Sequence, residues 1–474
     1  MEILRLLTAL APILVVLVLL VCRVPSLWAA GAGLVTAVAG SLLAFPLSGS
    51  ALGATAANMG PTLIEVALIL LGGVGLAQTT ARNGAQDRIA EWLAAAESGE
   101  DRSISLFLLI FGLTPFMESV TGFGLGVVIT APLLIRLGLS PVKAVVAGLL
   151  GLVLVPWGSL GPGTLIAAQL GGQDFHQVGI WSALLTLPVL IVSAIVATAV
   201  VIGRPTGRQV LLAGFVIVLE WAALTGANLV VGTPPAGVVA SAVVIIGLLV
   251  VARLTHGTLP SIDRGFGRAL LPYGVLVGGV LASAALTARI EDGPLTLIAN
   301  PAVWLILAAL ISLSAVPEAM RGRVRVAGRC LVAWVPITAN AIGFMLIGII
   351  MAATGMAEDL AGTAAHIGPF FTALVPAIGA LGGYLTGSNT GAAAMLSTAT
   401  TSATAGVGAN PVVALAGQNV AGSFAIIASP PRVALAVGVA LPAGQKLPTT
   451  ATRVLIGSVL AAAVLLGIVV YCAA

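Results

Sequence analysis

Residues 111–126 read FGLTPFMESVTGFGLG, and this stretch decides how the chain is folded. It sits inside a long apolar region, yet it carries Gly112, Gly122, Gly124 and Gly126, together with Pro115 and Glu118. Glycine and proline weaken or break a helix. A carboxylate at membrane depth is costly and marks function by default. The stretch therefore predicts a helix that breaks inside a membrane, where unwound backbone is tolerated only if protein or a polar cavity surrounds it.

The whole chain supports a membrane setting. Of 474 residues, 59% are hydrophobic and 8% are charged, with mean hydropathy +1.16. A soluble domain carries about 25% charged residues. Soluble enzymes, nucleic-acid binders and secreted modules are excluded, and the expected fold class is an all-α polytopic membrane protein. The net charge of +4 sets orientation; it does not call for nucleic acid. Cys22, Cys330 and Cys472 are scattered, as are His176, His256 and His366. No zinc site, haem site or other cofactor is expected, no nucleophile–base pair lies within the spans, and no nucleotide-binding motif appears, so an enzyme is not expected.

Hydropathy predicts spans at 6–21, 27–45 and 61–80, an interrupted region at 104–168, and spans at 179–202, 210–231, 237–252, 270–288, 297–315 and 331–353. A second interrupted region, 370–441, precedes a last span at 454–471. The 6–21 run leads straight into the next span without a convincing cleavage site, so it is read as a retained helix. The basic segments 317–329, 253–268 and 204–208, and the mixed segment 82–102, are placed inside. Residues 357–366 carry acids and no Lys or Arg, and are placed outside with both termini. A bacterial-type plasma membrane is the expected location.

The chain also resembles itself. Ser140-Pro141-Val142 and Asn410-Pro411-Val412 lie 270 positions apart, as do Ser159 and Ser429. Thr121-Gly122 and Thr386-Gly387 lie 265 apart. Each copy runs through a span, a short amphipathic segment (87–96 or 356–366), two interrupted regions and a closing span. The charges place those two amphipathic segments on opposite sides, so the copies are expected to be inverted. Inverted repeats with broken helices describe a secondary transporter. The expected division is 1–60 as N-terminal scaffold helices, 61–203 as repeat 1, 204–330 as linking scaffold helices and 331–474 as repeat 2.

Residues 382–391, GGYLTGSNTG, are the second copy's counterpart of 111–126. Exposed N–H groups at half-helix N-termini attract anions, and small hydroxyls and amides supply neutral hydrogen bonds. Glycines of this kind also serve simple close packing, but the repeat favours the functional reading. The runs 156–164 and 428–432 cannot be continuous helix, and are read as the other half of the site or its gate.

Residues 116–124, Leu385-Thr386-Gly387-Ser388-Asn389-Thr390 and Ser429-Pro430 resemble the L-lactate permease family. The resemblance implies a proton-coupled carrier of lactate, glycolate and related 2-hydroxy monocarboxylates, with scaffold and transport domains, an elevator-like movement and a homodimer. It also implies a wider kinship with divalent-anion/sodium symporters, whose Ser-Asn-Thr motifs Ser388-Asn389-Thr390 matches. The chain departs from the family pattern in two places. Asn389 stands where an Asp is usual, and Ile426 where a Lys is usual. Arg432 is placed to supply the missing positive charge.

The candidate substrate-binding residues are Ser119, Thr121, Gly122, Tyr384, Ser388, Asn389, Thr390, Gln418, Ser429 and Arg432, with Glu118 as the proton-coupling group. Glu118 has a bland alternative as a half-helix cap or buried ion-pair partner, and Arg432 as a water-facing hairpin tip. Glu220 is expected in a structural or inter-subunit pair. Glu65, His176 and His366 are expected at span ends, and Arg136 and Lys143 as orientation charges. The expected partners are a small organic anion, the bilayer and a second copy, with H+ as coupling ion. Sodium coupling on the same fold is the alternative, and uptake in sodium-free buffer separates the two.

Overall fold

The computed structural model describes residues 2–46, 49–94, 102–122, 124–256, 261–287, 294–317 and 320–474. Phe123 of the quoted motif, the end of the 87–96 amphipathic segment, and parts of the 82–102, 253–268 and 317–329 segments lie outside the described residues. Every element is helical, and 11 helices among the described residues are long and apolar enough to cross a membrane.

The chain opens with α1 (Glu2–Val21), α2 (Ser26–Leu43), α3 (Gly49–Arg82) and the short α4 (Ala85–Ala94). Next come α5 (Ser103–Phe107) and α6 (Thr114–Thr121), fused through a π-helical turn at Leu108–Leu113. Pro115 explains that turn. Its ring denies the carbonyl of residue 111 an ordinary donor, and the backbone widens. The Leu109 carbonyl accepts both the Thr114 N–H, across the widened turn, and the Thr114 hydroxyl, the latter at 2.8 Å.

After a break at 122–124 follow α7 (Leu125–Arg136), α8 (Pro141–Leu150), a 3-10 turn at Val155–Leu160 and α9 (Pro162–Leu170). Then come α10 (Phe175–Leu185), α11 (Leu187–Val201), α12 (Gly207–Val230) and α13 (Thr233–His256). The remainder is α14 (Arg264–Thr287), α15 (Pro301–Ser314), α16 (Met320–Thr354), α17 (Met356–Ala365), α18 (Phe371–Thr386), α19 (Asn389–Gly406), α20 (Pro411–Ala425), α21 (Pro430–Ala440) and α22 (Thr449–Ala473). Two expected spans are corrected. The helix expected at 61–80 begins at Gly49, and that at 297–315 is a 3-10 turn, Pro294–Ala299, followed by the 14-residue α15.

Burial separates the inner helices from the outer ones. The 103–121 helix is 94% buried and the 411–428 helix 89%, whereas α12 is 22% buried and turns Leu211, Val218 and Val230 outward. Outward apolar side chains suit lipid, so the broken elements form the enclosed centre and α12 the periphery.

The packing runs in pairs of like contacts. Helix α1 packs on α2 and α17, and α14 packs on α15 and α4. Helix α2 meets α16, and α15 meets α3. In the centre α7 packs on α8 and α21, while α19 packs on α20 and α9. The ion pairs follow suit. Arg5 holds Asp359 of α17 at 2.7 Å, and Arg88 of α4 holds Asp263 at the start of α14. Helices α12 and α13 stand outside this scheme. Helix α13 lies over the first half's broken region so closely that a Cβ on Gly237 would sit 2.6 Å from that of Trp157.

Glu220 needs a correction. It is 0% exposed within a single chain, and neither carboxyl oxygen has a hydrogen-bond partner among the described residues, so it stands neither in a pair with any of them nor on a subunit surface.

Candidate functional site

The two breaks meet. A cavity of about 50 Å³ is lined by Glu118 and Gly122 from the first break, Gly158 and Ser159 from the first 3-10 turn, Ser388, Asn389 and Thr390 from the second break, and Arg432 from α21. Residues almost 300 positions apart in the chain thus share one wall. The volume suits one or two water molecules, at about 30 Å³ each.

Four half-helices start around this cavity. Helices α7 and α19 begin after glycine breaks, where Gly122, Gly124 and Gly387 have φ of 69°, 80° and 65°. These left-handed backbones favour glycine. Helices α9 and α21 begin with Pro162 and Pro430, and neither has a side-chain cap. Proline at the first position gives up a donor that would be orphaned anyway. The remaining first-turn N–H groups of α9 and α21 are free of side-chain caps, and these two positive helix ends suit an anion.

Glu118 is 1% exposed, and its carboxylate accepts the Gly124 N–H at 2.8 Å through one oxygen and 3.1 Å through the other. It therefore caps α7, and it lines the cavity as well; the bland and the functional readings describe the same side chain. Arg432 approaches the same point from the other half. A Cβ on Gly124 would lie 2.3 Å from its Nη1, so the guanidinium rests directly against the glycine break. The buried Nε of Arg432 and the buried Oγ of Ser159 have no hydrogen-bond partner among the described residues. Buried donors left unmade cost about 1–3 kcal/mol each, so such groups call for a ligand or water.

A polar network stands behind the cavity. The Asn389 amide donates to Asn419 at 2.9 Å, and the Asn419 amide donates to Thr164 at 3.0 Å and Ser182 at 3.1 Å. This ties α19 and α20 to α9 and α10. A Cβ on Gly163 would lie 2.5 Å from the Asn389 amide nitrogen, so α9 and α19 touch end to end.

Of the residues singled out from sequence, Glu118, Gly122, Ser388, Asn389, Thr390 and Arg432 line the cavity. The others do not. Thr121 donates to the Met117 carbonyl of its own helix. Ser119 is buried, and its hydroxyl lies against Gly237 of α13. Gln418 bonds Thr400 and Ser397, 3.1 Å from the Ser397 hydroxyl. The Ser429 hydroxyl donates to the Ile426 carbonyl at 2.7 Å. Tyr384 packs half-buried against the core. Glu65 sits within α3 and accepts from Asn300, the residue that starts α15, at 2.9 Å. Sequence reading placed Ser159 in the 156–164 run read as the other half of the site, and Asn419 beside Gln418 on the preceding helix, but gave neither a binding role of its own. The 270-position match of Ser159 to Ser429 was a usable signal for the first.

Buried broken helices from two halves of one chain, meeting around a polar cavity within 11 apolar helices, define a multi-pass membrane protein. The sequence matches the L-lactate permease family over residues 5–265 and 275–473, and the chain belongs to that family. This sets it in a permease family, as a multi-pass protein consistent with the bacterial plasma membrane. Among its relatives, the L-lactate permeases of Escherichia coli (strain K12) and Salmonella typhimurium are each 31% identical over 120 residues, 25% of this chain and 21% of theirs. That of Streptococcus iniae is 30% identical over 82 residues, 17% of each chain. The matched segment thus spans about a fifth of the length of the curated relatives.

Proposed function

We propose that the protein is a secondary carrier of small monocarboxylates, L-lactate or a similar 2-hydroxy acid, moved together with a proton. One observation carries the reading: an acid from one half and an arginine from the other line one small cavity at which four half-helices begin. Arg432 is suited to clamp a carboxylate with a charge-assisted pair of hydrogen bonds. Ser159, Ser388 and Thr390 are suited to the 2-hydroxyl. Glu118 takes the proton, which offsets the substrate's charge during the crossing.

Alternating access is the mechanism we propose for it, with residues of both halves lining one small cavity that can be exposed to either side in turn. The paired contacts support two inverted repeats that swap roles. On the same contacts we propose repeats wider than 61–203 and 331–474, namely α1–α11 and α14–α22, with α12 and α13 as the connection. The movement we propose is elevator-like, with α5–α9 and α18–α21 as the moving body, in a homodimer.

The test is uptake of labelled L-lactate into proteoliposomes, with and without an imposed pH gradient, in sodium-free buffer. Accumulation driven by an inward proton gradient is expected. Ser388, Asn389 and Thr390 at the cavity wall favour one second reading, sodium coupling, and strict dependence on sodium with indifference to pH would establish it instead.

A further inference from the structure

Next to the small inner cavity lies a far larger one, about 850 Å³, between the α1–α2 turn, the 441–448 loop and the outer face of α21. Its walls are mostly apolar, from Val433, Val437 and Leu441 among others. The charged side chains that line it are Arg23 and Lys446, both cations. Arg23 occupies its tight turn with φ of 62°, a left-handed backbone that a non-glycine residue adopts at a cost. We propose that this cavity is an anion-collecting entrance to the site, with Arg23 and Lys446 as its electrostatic lip.

Three features join the entrance to the site. Its floor is Thr386, Pro430 and Pro431, each one or two residues from a residue lining the inner cavity. The Thr386 hydroxyl bonds the Ser388 backbone at 2.9 Å. The partition between the two spaces is thin. A Cβ on Gly387 would meet Pro431 at 3.0 Å and the Ser429 hydroxyl at 3.3 Å. The corresponding end of the first half is shut. There the turn between α9 and α10 is short, the Thr398 hydroxyl bonds the Leu170 carbonyl at 3.1 Å, and a Cβ on Gly171 would lie 2.7 Å from Leu415. Low-dielectric walls focus the field of two cations and raise the local concentration of anions. Span order puts this lip on the face that the charge pattern makes cytoplasmic.

The inference rests on the carrier reading for what passes through, but its first test does not. In purified full-length protein with Cys22, Cys330 and Cys472 replaced by Ser, Ala434→Cys places a thiol on the entrance wall. Anionic and cationic methanethiosulfonate reagents of similar size are compared at low salt, each rate normalised to a free thiol. The anionic reagent is expected to react about three- to tenfold faster, and the advantage to vanish in 0.5 M salt or with Arg23→Gln and Lys446→Gln together. Equal normalised rates, or an advantage that survives neutralisation, overturn the proposal. Val437→Cys serves as a second position if Ala434→Cys does not yield folded protein. In proteoliposomes the double variant should raise KM for L-lactate several-fold from this face at low salt, with maximal rate unchanged. If the reagents discriminate while the intact protein moves no L-lactate, the carrier reading falls and the entrance stands. If L-lactate moves and the reagents do not discriminate, the entrance falls alone.

Discussion

The two broken regions are built alike and finished differently. Both put a glycine with positive φ where the first half-helix ends, and both press that glycine on a serine of the second interruption: Gly122 on Ser159, Gly387 on Ser429. Yet the first half contributes the acid and a serine with a free hydroxyl, and the second contributes the arginine and a serine already bonded within its own turn. The first half is also roofed by α13 and sealed at α9, whereas α21 faces an open cavity. Shared geometry builds a place for an anion between two sets of helix ends. In the carrier proposed above, the differences give the proton to one half and the carboxylate to the other, and they leave one face more open than its counterpart.

The assignment breaks most directly at Glu118. Glu118→Gln keeps an oxygen that can accept the Gly124 N–H, so α7 stays capped and the protein should insert normally. It cannot exchange a proton. Uptake driven by a pH gradient should fall about a hundredfold, to background, a loss within the range expected of an essential proton-transfer group. Persistence of proton-driven uptake in that variant would sink the division of labour between the halves.

On the other half, Arg432→Gln removes the charge that meets the carboxylate. A hydrogen bond to a charged group contributes about 1.5–3 kcal/mol, so KM should rise about ten- to a hundredfold with folding retained. Titration of uptake rate against L-lactate concentration reads this out. An unchanged KM would return Arg432 to the role of a hairpin-tip cation.

The serine pair sharpens the contrast between related positions. Ser159 lines the cavity with a buried, partnerless hydroxyl, at φ of 48°. Ser159→Ala should raise KM about two- to tenfold, the worth of one neutral hydrogen bond of about 0.5–1.5 kcal/mol. Ser429→Ala, 270 positions on, should lower the thermal midpoint and leave KM alone, because its hydroxyl closes a turn. Equal KM effects at the two sites would mean that the second half's turn also opens onto the substrate.

Much of this architecture was legible in the sequence because it is written in residue types with strong backbone consequences. Gly122, Gly124, Gly387, Pro162 and Pro430 fall where helices break, and a run of apolar residues cannot hide them. The common offset brought Ser159 and Ser429 into register. What was not legible is side-chain direction within a helix. Ser119 and Thr121 flank Val120 and looked equally able to reach a ligand, but one turns to α13 and the other bonds its own helix. Threonine in a membrane helix satisfies itself on the preceding turn without tertiary help, so its presence carries little information. The Asn389–Asn419–Thr164 network was hidden for a related reason, since it depends on how four helices are juxtaposed. The start of α3 was missed because its first turns are rich in Gly, Ala and Asn, which lower hydropathy without ending a helix.

The smallest effect tests the likeness of the halves at the surface. Arg88–Asp263 and Arg5–Asp359 tie the two short amphipathic helices to the helices that begin the opposite halves, with acid and base exchanged. Asp263 does more than pair. Its carboxylate accepts the Phe266 N–H at 2.7 Å at the start of α14. That bond above all, helped by Arg88, holds its pKa below the usual aspartate value. A carboxylate with a depressed folded pKa contributes stability that is complete above its unfolded pKa, near 4, and is lost as pH falls through the folded one. Asp263→Asn should therefore lower the thermal midpoint of the purified protein slightly at neutral pH. The gap from the parent should close on acidification below about pH 4, and 0.5 M salt should narrow it by screening the Arg88 part while leaving the capping part. A gap that is constant with pH would show that the side chain's shape, rather than its charge, secures the start of α14, and the resemblance to the Arg5–Asp359 contact would then be one of position alone.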